Sequence, residues 1–203
     1  MSYDKKLIAS KLRRWESYLD SYQLPKWEEI PDFGLYMEQV LILLTEYLDY
    51  MPPELKEEQF ITAAAINNYV RKKIMPEPVR KKYYRVHIAC LVLICSLKQT
   101  LSMTTLKTLL PNDVPEEEFR EFYDRYVERH RMTAGIFIDL TKKMAAGILD
   151  HEDPEGVASE DPMDLILSAT EIAGFSRLLA EKLILLNDLT LEEGEEMGEL
   201  PKL

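Results

Sequence analysis

The chain has 203 residues, 46% of them apolar and only seven glycines, enough to bury one ordinary core or two small ones and too apolar for a disordered or fibrous chain. Its 36 acidic and 25 basic residues leave a net charge of −11, which argues against a general binder of nucleic acid or anionic membrane. Cys90 and Cys95 are its two cysteines, so it carries no disulfide framework and no CxxC pair, and a reducing cytoplasm is the expected compartment. The longest apolar run, Ile88 to Leu97, is about half of what a bilayer span requires, and the charged N-terminus has no signal-peptide core; neither membrane insertion nor secretion is expected.

Ile8, Leu12, Trp15, Leu19 and Tyr22 recur at steps of four and three, the stripe of an amphipathic helix that ends before Pro25. Its other face carries Lys5, Lys6, Lys11, Arg13 and Arg14, but Asp4, Glu16 and Asp20 dilute the charge, so a helix packed on its own domain is expected over one lying on a membrane. After Pro31-Asp32, the spacing of Met37, Val40, Leu41, Leu44, Leu48 and Met51 predicts a second helix, closed by Pro52-Pro53. Thr62 to Lys73 is a short third helix, capped by Thr62, favoured by Ala63, Ala64 and Ala65 and closed by Pro76 and Pro78. Val79 to Tyr84 is a small extended turn or hairpin. Arg85 to Gln99 is apolar almost all round, as in a buried helix, and Met103 to Leu110 is a short one before Pro111.

Phe119, Phe122, Tyr123, Tyr126, Phe137, Leu140, Met144 and Ile148 form a stripe along a long helix with a bend expected near Gly135. A solvated acidic loop, Asp150 to Asp161, separates it from a last helix opened by Pro162 and running to about Leu186. The tail beyond Leu191, with Glu192, Glu193, Glu195, Glu196 and Glu199, is expected to be flexible. The two long apolar faces exceed what two helices bury on each other, which predicts a homodimer through this region.

Catalytic motifs are missing: His87, His130 and His151 lie far apart, and there is no HExxH, GxGxxG, P-loop or GxSxG. Neither catalytic residues nor a cofactor is expected, and His151 with Glu152 and Asp153 reads as hydrated loop more than as a metal site. The cysteines fall about 140° apart on one helix and read as core.

The charge is uneven. Residues 59–110 hold nine basic side chains and one acid, a local +8 against −19 for the remainder. Screening over roughly 8 Å lets such a patch act on its own. Asn67, Asn68 and Arg71 are suited to base edges, and Tyr69, Lys72 and Lys73 to phosphates from the flank and end of the same helix; Arg80, Lys81 and Lys82 follow on the turn.

The words Ile61-Thr62, Ile66-Asn67-Asn68-Tyr69-Val70, Ile74-Met75-Pro76, Lys82-Tyr83 and Leu101-Ser102-Met103 resemble the MerR-type winged helix-turn-helix. Leu24-Pro25-Lys26-Trp27 and Pro31 to Val40 bring the chain closer to a bacterial family, domain of unknown function 1836, which it resembles over about residues 12–110. The resemblance implies that Tyr36 to Met51 is the first helix of the motif, Thr62 to Lys73 the recognition helix and Val79 to Tyr83 a small β wing. The expected fold is mainly α: an N-terminal helical extension (1–30), a MerR-like helix-turn-helix domain (31–111), a C-terminal helical region (112–190) and an acidic flexible tail (191–203). The expected function is a cytoplasmic, non-enzymatic transcriptional regulator that binds double-stranded DNA through Thr62, Asn67, Asn68, Tyr69, Arg71, Lys72, Lys73, Arg80, Lys81, Lys82, Tyr83 and Arg85, with room for a small-molecule effector in the C-terminal helices. The alternative is a protein-interaction module on the same scaffold that does not bind DNA.

Overall fold

The computed structural model describes residues 3–49, 61–111, 113–152, 156–190 and 193. Pro52 to Gln59, Asp153 and nearly all of the acidic tail lie outside the described residues, as does Met51. Eight α-helices are described: α1 (Lys5–Ser21), α2 (Met37–Tyr47), α3 (Ala63–Arg71), α4 (Arg85–Leu97), α5 (Met103–Leu109), α6 (Glu116–Met144), α7 (Ala146–Leu149) and α8 (Pro162–Leu185). Trp27–Glu29 adds one 3₁₀ turn.

Local chemistry sets most of these limits. Asp4 starts α1 by accepting the Lys6 and Leu7 amides at 2.9 and 3.1 Å, Ser102 caps α5 through Thr105 N–H, and Asp161 caps α8 just before Pro162. Glu116, Glu117 and Glu118 sit at the positive end of α6, and Lys142 and Lys143 at its negative end.

The main core is organised by α4, whose residues from His87 to Cys95 are all buried, as an all-round apolar helix requires. Val40, Leu44 and Leu48 from α2 and its end, Ile66 and Tyr69 from α3, and Phe119 and Tyr123 from α6 close around it. Trp27 belongs to the same core, with ring centroids 6.2 Å from Phe119 and 6.0 Å from Tyr123. The packing unit is therefore wider than residues 31–111, reaching back to Leu24 and forward to Tyr123. A smaller cluster joins Ala9, Ala145, Ile148 and Leu149, with Ile8, Leu12 and Leu165 against it.

The first helix packs on its own chain. Trp15 meets Phe137 edge-on at 5.7 Å, Lys142 pairs with Glu16 at 2.8 Å, and Arg13 Nη2 donates to the Leu149 carbonyl at the end of α7. Two expectations are corrected. The stripe from Phe119 to Ile148 is not one helix: α6 continues without a break through Gly135 and ends at Met144, after which the short α7 stops at Asp150 in the left-handed region. The expected β wing has no strands among the described residues; Val79↔Lys82 and Leu35↔Tyr83 are isolated antiparallel bridges. No described helix is long and apolar enough to cross a membrane.

Candidate nucleic-acid interface

The basic residues are carried by α3, by the turn that ends it and by the turn after Pro78. Thr62 caps α3, its Oγ1 accepting the Ala65 amide at 3.1 Å, so its hydroxyl is already engaged within the helix. Ile66 and Tyr69 point into the core, which leaves Asn67 and Arg71 exposed and Asn68 half-buried. Arg71 Nη2 donates to Asn68 Oδ1 at 2.8 Å, holding the guanidinium across one helical turn.

The helix ends in a Schellman turn. Lys73 N–H donates to the Val70 carbonyl and Ile74 N–H to that of Tyr69, both at 2.9 Å, while Lys73 adopts φ +54° at the position where glycine is usual. Ile74 and Met75 then plunge into the core and anchor the segment. Val79 and Lys82 exchange both backbone hydrogen bonds at 3.0 Å around Arg80 (φ +52°) and Lys81 (φ +64°), a two-residue turn with both central residues left-handed. Arg71, Lys72, Lys73, Arg80 and Lys81 are all exposed. The seven-residue step from Lys73 to Arg80 spans at most about 25 Å, less than one turn of a DNA duplex at roughly 34 Å.

The second turn is fastened from three sides. Tyr83 pairs with Leu35 just before α2, Lys82 Nζ lies 5.3 Å from the Tyr36 ring centre, and Gly34 lies so close beneath that an added Cβ would stand 2.9 Å from Lys82 Cβ and from Tyr84 Cζ. His87 closes the base: its Nδ1 accepts the Tyr84 amide at 3.1 Å, so Nε2 carries the proton and donates to the Glu77 carbonyl at 2.9 Å. That ring ties Glu77, ahead of the turn, to Tyr84, beyond it. His87, Gly34 and Leu35 were missed in the sequence; a glycine three residues before an α2 start at Met37 was the one available signal.

Three expected contact residues have other duties. Tyr69 and Tyr83 are buried, and burial raises both hydroxyl pKa values, so they are core supports and not phosphate contacts. Arg85 Nε donates to the Ile30 carbonyl at 2.8 Å and its guanidinium lies 5.9 Å from the Trp27 ring centre, which turns it inward. Burial pushes the Cys90 and Cys95 thiols up to about 12, leaving both inert. Among the described residues no three His, Cys, Asp or Glu side chains gather as a metal site.

These features define a mainly helical protein that displays exposed cations on two tight turns. The chain belongs to the family described as Domain of unknown function (DUF1836), whose model matches residues 25–126. The match starts later and ends later than the sequence words suggested, leaving out α1 and taking in Phe119 and Tyr123, the α6 residues that pack on Trp27. No curated protein and no solved structure matches the chain.

Proposed function

We propose that this chain is a cytoplasmic transcriptional regulator without catalytic activity, which binds double-stranded DNA with α2 and α3 as a MerR-like helix-turn-helix and the Val79–Tyr83 turn as a reduced wing. One observation carries the reading. Of the five non-glycine residues with positive φ among the described residues, three are Lys73, Arg80 and Lys81 of the basic patch. Each costs on the order of 1–2 kcal/mol relative to an ordinary backbone, where glycine or asparagine would fit freely. Strained backbone clusters at functional sites, and its coincidence here with exposed cations supports a phosphate-binding surface over a merely solvated face. In this reading Asn67 and Arg71 face base edges, and Lys72, Lys73, Arg80, Lys81 and Lys82 face phosphates.

The test is a titration against a pool of genomic fragments, then against any enriched site, at several salt concentrations. Lys81→Ala should weaken binding to all sequences alike and lower the salt slope by about one. Asn67→Ala should instead lose roughly 1–3 kcal/mol against the preferred site and relax one position. Absence of binding even at about 50 mM salt, where phosphate contacts are strongest, overturns the proposal in favour of the interaction module.

A further inference from the structure

Much of the apolar stripe of α6 is met within the chain, since Phe119, Tyr123 and Met144 are buried and Phe122 and Tyr126 pack on the core, while Phe137 is partly exposed beside Trp15. That of α8 is not. Pro162 is its one buried residue, Leu165 rests on the small cluster, and beyond that point Phe175 is 65% exposed, Leu179 60% and Leu183 61%, with Leu178, Leu185 and Leu186 also exposed. Within the chain α8 touches α5, and an apolar helix of 24 residues left this open elsewhere lacks a packing partner on its remaining face.

We infer that α8 pairs antiparallel with α8 of a second copy of this chain. Leu165, Ser168, Ile172, Phe175, Leu179, Lys182 and Leu186 follow alternating steps of three and four, a single heptad seam along the helix. The six exposed large side chains on and beside it offer roughly 100 Å² each, on the order of 600 Å² per chain, against about 800 Å² per partner in a standard stable interface.

The order of residues along the seam selects both the occupant and its direction. A two-fold axis between Ile172 and Phe175 sets Ile172 against Phe175 of the partner subunit, and bulky Leu179 against Ser168 of the partner subunit. The same alignment brings Lys182, on the seam near the C-terminal end, to Leu165 of the partner subunit, next to two acids, Asp161 and Asp164, that sit at the N-terminal end of every copy. A parallel pair would set Lys182 on Lys182 and leave a gap at Ser168. The sequence is thus complementary to itself reversed, which a foreign partner would have no reason to demand. This pairing is independent of DNA binding.

Sedimentation of the full chain at micromolar concentration should give a particle of twice 23.7 kDa. Phe175→Asp, which alters an exposed side chain of the single chain, should give a folded monomer. Under oxidation, a mixture of the Ser168→Cys and Leu179→Cys chains should yield a covalent dimer while each chain alone does not, and the buried native thiols stay silent. A monomeric wild-type chain, a Phe175→Asp dimer or self-linking of either cysteine chain overturns the inference. So does a monomer that binds uncharged lipid vesicles, which would give α8 to a bilayer surface.

Discussion

Leu35 and Tyr83 exchange both of their backbone hydrogen bonds at 2.8 Å, so the basic turn hangs from the residue that leads into α2. The two ends of the candidate DNA surface are therefore coupled through backbone, and the tight spot beneath them is Gly34. Gly34→Ala drives a methyl group into Lys82 Cβ and the Tyr84 ring, and should destabilise the protein by roughly 1–3 kcal/mol, read as a lower urea midpoint with an unchanged slope.

The left-handed pair Arg80-Lys81 should trade stability against binding. Asn-Gly is the preferred occupant of such a turn, so replacing Arg80 by Asn and Lys81 by Gly should stabilise the fold by about 1 kcal/mol. The same change should weaken DNA binding and reduce the salt slope by about two, both measured on one preparation. A variant that gains stability and keeps full affinity would place the DNA surface elsewhere.

The helices on either side of this surface were legible for simple reasons. Thr62 as a cap and Pro76 as a stop bracket α3, and an unbroken apolar run marks α4 as buried. The inward turn of Tyr69 was also available, because Ile66, Tyr69 and Val70 stand at i, i+3 and i+4, but a hydroxyl beside two asparagines reads as polar when its ring decides the outcome. The turn itself was not readable: its geometry calls for Asn-Gly, and Arg-Lys carries no such signal. Nor was the end of α6, since Ala145 is neither glycine nor proline, and the residues after it pack with Ala9 of α1, a contact distant in sequence. The open face of α8 was anticipated by the excess of apolar surface over what two helices can bury on each other, but the same excess was assigned to the α6 stripe as well, much of which packs on the core.

Acid should loosen the α1–α6 side of the molecule through His130. Its ring lies 6.0 Å from Tyr22 and 6.1 Å from Tyr126, and burial holds its pKa below 6.5. The unfolded chain then binds the proton more readily than the folded one. The associated stability is complete above pH 6.5 and is lost as pH falls through the depressed folded value. His130→Leu should flatten that part of the stability profile, measured by thermal melts at a series of pH values.

Arg85 separates support of the patch from contact with DNA. Its Nε bonds the Ile30 carbonyl and its guanidinium rests by Trp27, whose ring is buried with Phe119 and Tyr123. Arg85→Ala leaves that carbonyl without its partner and should cost about 1–3 kcal/mol of stability. Arg85→Lys keeps the charge but not the bond from Nε, so it should recover little of the loss. Because the cation points inward, neither change should alter the salt slope of DNA binding once the protein is kept folded at low temperature. A slope reduced by about one in Arg85→Ala but restored in Arg85→Lys would instead make Arg85 a phosphate contact and shift the edge of the surface toward the start of α4.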